Sequence, residues 1–240
     1  TMEIMSAGTS ISIGNRLITW ETTDSYDAGI DFALLNNRIS GSVAYYMQNV
    51  SDMLLQISTP PSAAIGSVFG NVGDMKNWGW EFSLSSVNVD KKDFRWNTSL
   101  NFSTNQNEIL RLTPEMERQK GSTLFVGGRL GLFKMCEYAG IDPERGVHMI
   151  WEIDRAKYNE TGAFVRTGRK IPFTDTNSAL HEVVLKDKSS IPTFYGGFDN
   201  TFSFKGFELG VFFTFSGGNY IYNSREKEWT APSNGYWMKK

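Results

Sequence analysis

Hydrophobic and polar residues alternate with a period of two in several separate stretches of this 240-residue chain. The clearest places Phe194, Phe198, Phe202 and Phe204 on one face, with Tyr195, Asp199, Thr201 and Ser203 on the other. After Lys205-Gly206 a second arm sets Phe207, Leu209, Val211, Phe213 and Phe215 opposite Glu208, Gly210, Thr214 and Ser216. Such alternation belongs to strands with an apolar side and a polar side. It predicts further strands near Tyr26–Leu35, Arg38–Gln48, Trp78–Val89 and Phe94–Ser103. Asn36-Asn37 and Asp90-Lys91-Lys92-Asp93 supply the tight turns between them. Trp78 and Trp80 fall at a strand end on the apolar face, and Glu81, Arg95, Asn97 and Asn101 on the polar one.

The connections carry as much information as the strands. Tight turns join the first strand to the second, the third to the fourth and the fifth to the sixth. Long segments, near 49–77 and 106–190, join the second to the third and the fourth to the fifth. In an antiparallel meander this puts every short turn at one end and every long loop at the other, as in transmembrane barrels. The longer segment is too long to be structureless in a compact domain, and extra strand pairs are expected in it, for example around Leu124–Ala139. A soluble β-sandwich with a Phe-lined core fits the same alternation.

Composition narrows the function classes. Aromatic residues make up 14% of the chain, 17 of them Phe, and there are 23 Gly. That suits barrel strands better than a helical bundle. No run of about 18 apolar residues exists to make a membrane helix. The formal net charge of −2, with no basic run interleaved with aromatics, argues against a nucleic-acid partner. His148 and His181 lack any ligand spacing, Cys136 is alone, and no nucleophile elbow or phosphate loop occurs, so neither a metal, a cofactor nor catalysis is expected. Gly127-Gly128-Arg129-Leu130-Gly131 reads as a turn or strand kink. Asp142-Pro143-Glu144-Arg145-Gly146 reads as a tight turn, the alternative being a carboxylate pair.

Several ordered segments resemble the SusC-like branch of TonB-dependent transporters. They are Leu17-Ile-Thr-Trp20-Glu21 with Ala28-Gly29-Ile30-Asp31; Asn37-Arg38-Ile39-Ser40-Gly41 with Ala44-Tyr45-Tyr46; and Asn71-Val72-Gly73-Asp74 with Asn77-Trp78-Gly79-Trp80-Glu81. Phe94-Arg95-Trp96 with Asn101-Phe102-Ser103, Ala139-Gly140-Ile141-Asp142, and Ile191-Pro192-Thr193-Phe194 complete the set. The resemblance implies an all-β fold: an antiparallel transmembrane β-barrel, here only its later strands, with hairpins near 26–48, 78–105 and 192–216 and long external loops. Residues 1–240 are then expected to be part of one barrel domain, with the plug and the TonB box outside this chain.

The implied function is import of oligosaccharides or oligopeptides across the outer membrane of a Gram-negative bacterium. The implied partners are a SusD-like surface lipoprotein, TonB acting through the plug, the remaining barrel segments and the lipid bilayer. A soluble glycan-binding domain and a passive porin or adhesin barrel are the alternatives. Substrate contacts are expected from loop aromatics, because sugar faces and peptide side chains stack on exposed rings. The candidates are Phe125, Trp151, Tyr158, Phe164, Trp229, Tyr236 and Trp237, each of which also fits a loop-packing role.

Overall fold

The computed structural model describes residues 18–58, 67–117, 122–161 and 163–223. Among them, six long strands form one antiparallel meander. These are β1 (Thr22–Leu34), β2 (Ile39–Ser58), β3 (Ser67–Lys91), β4 (Phe94–Thr104), β11 (Phe194–Phe204) and β12 (Phe207–Gly217), paired in the order β1-β2-β3-β4-β11-β12. The sheet does not close on itself. Between β4 and β11 lie β5 (Gln106–Leu112), β6 (Leu132–Cys136), β7 (Tyr138–Ile141), β8 (His148–Ile153), β9 (Arg166–Pro172) and β10 (Glu182–Ser189). Three short helices accompany them: α1 (Pro114–Glu117), α2 (Arg155–Thr161) and α3 (Asp175–Leu180).

The tight turns follow from residues that accept left-handed backbone. Leu35, Asn36 and Asn37 have φ of 53°, 55° and 65° in the four-residue turn 35–38, and Lys205-Gly206 has 46° and 90° in a two-residue hairpin connection. The ladder puts the apolar positions of successive strands side by side. Ile30 pairs with Val43, Val43 with Phe82, Phe82 with Phe102, and Phe198 with both Leu100 and Phe213. One continuous apolar face results, and much of it is exposed: Ile30, Phe207, Leu209 and Phe213 each show more than half their surface. Rings meet across it, for example Tyr45 with Trp80 at 5.1 Å and Trp96 with Phe202 at 5.6 Å.

Polar side chains on that face are satisfied by one another. Ser86 donates to Asn88 (2.7 Å), Asn88 to Thr98 (2.6 Å), and Thr98 and the Trp96 indole to Asn200 Oδ1 (2.8 and 2.9 Å). Without water, each such group must find a partner in the protein. The opposite face carries small and polar residues. One tight point on it is Gly79, where a Cβ would lie 2.0 Å from the Thr104 carbonyl and 2.8 Å from the Tyr46 ring. Only glycine lets Tyr46 lie flat across that strand pair, with its hydroxyl donating to the Thr104 carbonyl at 3.3 Å.

Two expectations from the alternation are revised. The long segment over 49–77 is largely strand, since β2 runs on to Ser58 and β3 starts at Ser67. The alternation is interrupted there by a bulge at Asp52 (φ 55°), with the register shifting on both sides of Met53. Asp74 accepts from the Asp52 amide at 3.1 Å, and Asn71 donates to the Asp52 carbonyl at 2.6 Å, which holds the bulge. For the same reason Trp78 and Trp80 lie in the middle of a 25-residue strand rather than at its end.

Around and beyond the bulge a buried apolar core appears. Val50, Met53, Val72, Met75, Ile109, Leu112 and Met116 form a buried cluster, with Leu55, Leu124 and Leu130 against it. β5 continues the β4 ladder on β3, pairing Gln106 with Trp78 through to Leu112 with Gly73. Segment 127–128 bonds its outer edge: Ile109 donates to the Gly128 carbonyl (2.9 Å) and Gly127 to that of Ile109 (2.8 Å). The glycine-rich stretch 127–131 is therefore a turn with positive φ at Gly127 and Gly131. Asp142–Gly146 is also a turn, its Asp142 carboxylate accepting from the Glu144 amide at 3.0 Å.

Candidate functional site

The long connection between β4 and β11 folds into two small sheets, β10-β6 and β7-β8-β9. Between them opens a cleft of about 870 Å³. Val183 to Asp187 of β10 form one wall, Leu124, Phe125 and Val126 a second, and Glu137, Ile153, Phe164 and Arg166 a third. Glu117 at the end of α1 and Glu160 near the end of α2 stand at its margin. The wall and its apolar floor come from the strongly β-forming Val183-Val184-Leu185, whose two valines are buried.

Charges on the third wall are tied down. Arg166 makes a two-pronged ion pair with Glu137 (2.6 and 2.9 Å), which holds that carboxyl below its usual range. On β8, Glu152 accepts from Arg169 and from the Thr167 hydroxyl (2.6 Å), and its pKa falls to about 2, chiefly through Arg169. Cys136 is half-buried, and burial pushes its thiol up and away from reactivity. Among the described residues no group of three His, Cys, Asp or Glu side chains is placed to hold a metal. His181 is buried and its Nδ1 accepts the Ile153 amide at 3.0 Å, linking α3 to β8.

The aromatic candidates divide. Phe125 and Phe164 both reach the cleft. Lys186 Nζ lies 5.1 Å above the Phe125 ring. Phe164 stacks on Tyr158 at 4.9 Å, and Tyr158 itself is buried, with Arg155 4.9 Å from its centre, so Tyr158 is a packing residue. Trp151 is half-buried beside Arg166 (5.1 Å) and Lys170 (5.3 Å). Trp229, Tyr236 and Trp237 lie outside the described residues. Glu117, Glu160 and the wall over Val183–Asp187 were not legible as site residues, because no local motif marks them; only the folding of distant segments brings them to one cleft.

An open, two-faced antiparallel sheet with tight turns at one end and folded connections at the other defines a large-barrel segment, and comparison with known proteins agrees. The family described as TonB dependent receptor-like, beta-barrel, matches residues 2–238, and the chain belongs to that family. It is 31% identical over 236 residues to TonB-dependent receptor P26 of Formosa agariphila, covering 90% of this chain and 22% of that protein. It is 36% identical over 104 residues to TonB-dependent receptor SusC of Bacteroides thetaiotaomicron, covering 41% of this chain and 10% of that one. Among solved structures, the RagAB peptide importer in its closed-closed state superposes with a TM-score of 0.69 at 29% identity, over 87% of this chain and 22% of that chain. The chain thus spans about a fifth of the length of the first of these receptors. Its fold is part of a transmembrane β-barrel of the SusC-like type.

Proposed function

We propose that this chain forms one sector of the wall and external loops of an outer-membrane importer in a Gram-negative bacterium, one that takes up oligopeptides. The observation that carries the reading is the continuous apolar face backed by a polar one, ending among the described residues at two unpaired edges, β1 and β12. Open edges in hydrocarbon leave backbone groups unbonded at several kcal/mol each, so further strands must complete the wall. An 11-residue strand such as β11 is about 36 Å long. Tilted by about 40°, it spans about 28 Å, the thickness of a bilayer's apolar layer.

The choice of peptide over sugar rests on the rings. Sugar stacking needs a free aromatic face, and each described candidate ring at and beside the cleft already has a cation or a neighbouring ring against it, which leaves less ring area for a sugar. The RagAB neighbour is itself a peptide importer. In this reading a SusD-like lipoprotein presents the peptide from outside and TonB supplies energy through a plug carried by another part of the protein; no chemistry is done on the substrate.

Uptake of a fluorescent oligopeptide by cells with and without the full-length protein tests it, before and after collapse of the proton-motive force. Uptake that needs both the protein and the force is expected. Uptake that survives collapse points to a passive pore, and a protein recovered in water without detergent sinks the barrel reading.

A further inference from the structure

We infer that the loop cleft is a docking subsite for an extended, cationic segment of the imported peptide, which adds as a strand to the free edge of β10. This deepens the peptide-import reading and rests on it. Two independent observations meet at the cleft.

The first is the strand edge. Side chains of successive residues in a strand point to opposite faces, so a cleft lined by one face touches every second residue. Here five consecutive residues, Val183 to Asp187, all border the cleft. The cleft therefore runs along the edge of β10. β6 occupies one edge of that strand, and among the described residues no strand pairs with the other. Val183 and Val184 are buried, and beyond them the more open stretch Leu185–Asp187 offers its amides and carbonyls at the spacing of another extended backbone, the basis of strand addition in peptide recognition. A carbohydrate has no backbone to match that spacing.

The second is the sign of the charge left over. Arg166 is neutralised by Glu137, and Lys186 rests on Phe125. Asp187 has Lys188 at 3.6 Å. Glu117 and Glu160, both bordering the cleft, have no ion-pair partner among the described residues. Among the described residues bordering the cleft, Glu117, Glu137, Glu160 and Asp187 outnumber Arg166 and Lys186, so the net charge facing an occupant is negative, and Leu124 and Val184 give it an apolar floor. A strand that alternates apolar and cationic side chains complements both: main-chain bonds hold it whatever its sequence, and the two carboxylates select its charge.

The test uses the full-length protein in detergent and three fluorescein-labelled probes, followed by anisotropy: Leu-Lys-Leu-Lys-Leu, Leu-Glu-Leu-Glu-Leu, and the first peptide N-methylated at alternate amides. The lysine peptide should bind at least about fivefold more tightly than the glutamate peptide, the combined effect of two part-exposed ion pairs. In E117Q/E160Q that preference should vanish while the glutamate peptide binds as before or better, which also shows that the variant is folded. N-methylation should abolish binding, since it removes the donors a strand edge needs. Equal affinity for the lysine and glutamate peptides, or a preference unchanged in E117Q/E160Q, overturns the charge argument and leaves peptide import standing. Undiminished binding of the N-methylated peptide overturns strand addition. If neither peptide binds and maltohexaose does, the peptide-import reading fails and the subsite with it.

Discussion

Ile109 joins the loop assembly to the long strands, and truncating it shows how the two are coupled. Its side chain is fully buried among Val72, Met75, Leu112 and their neighbours, and its backbone bonds segment 127–128. Ile109→Ala removes the carbons beyond Cβ, at about 0.8 kcal/mol each, or about 2.4 kcal/mol of burial. The two-sided clamp of β3 and 127–128 limits collapse around the vacancy, and the cavity left behind raises the cost to about 3 kcal/mol. The loss falls on local opening of β5 and its cover rather than on the wall, because Phe194–Phe204 and Phe207–Gly217 contribute no residue to the cluster. Hydrogen exchange by mass spectrometry on the full-length protein reads this directly. At tenfold per 1.4 kcal/mol, amides of 106–112 and 127–131 should exchange roughly 100-fold faster, while those of 196–214 should not change. If 106–112 exchange as in the unaltered protein, the cluster is not what holds the assembly down. If acceleration is equal throughout, the wall and the loops are one cooperative unit and the division drawn here is wrong.

Gly79→Ala should cost about 1–3 kcal/mol and lower the fraction of heat-modifiable, folded barrel on a gel, since the new Cβ meets the Thr104 carbonyl and the Tyr46 ring. Gly210→Ala, with nothing within 4 Å, should assemble normally, and failure of both would mean that glycine matters here for chain flexibility instead. Acid should loosen β7-β8-β9. The carboxyls of Glu152 and Glu137 are depressed by Arg169 and Arg166, so the stability they lend is complete above the ordinary glutamate range and is lost as the pH falls toward the folded value, about 2 for Glu152. The fluorescence of Trp151, taken as the difference between the native protein and Trp151→Phe, should be flat from pH 8 to 5 and change between about pH 4.5 and 2; a transition well above pH 5 would refute the assignment to these two carboxyls.

The wall was legible in the sequence because the period of two is imposed residue by residue: a strand between two unlike media must alternate, and Phe194–Phe215 does so almost without exception. The outer parts of β2 and β3 were not, because the Asp52 bulge shifts the phase and the burial there is set by β5, α1 and the segment around Leu124. β6 and the first half of β7 fall within the stretch 124–139 where extra strands were expected, but strands of four or five residues leave too few positions for a period to show. The same logic explains the candidate site. Phe125 and Phe164 could be singled out as loop aromatics, yet whether a ring is open, as sugar stacking needs, or capped, as Phe125 is by Lys186, depends on a partner some sixty residues away. Glu117 and Glu160, without an ion-pair partner among the described residues, are ordinary surface acids until the fold brings both to the cleft.

The ladder from β4 into β5 crosses from wall to loop with a single residue, Asn105, between the two strands and with β3 as their common partner. Mechanically this is a cantilever. The base of the loop assembly is clamped along its length to a beam continuous with the barrel staves, and a load applied to it is borne as shear on many parallel hydrogen bonds instead of as bending at a hinge. Motion of the assembly is then concentrated at the far end of the overhang, where, among the described residues, β10 and the β7-β8-β9 sheet pair with none of the long strands.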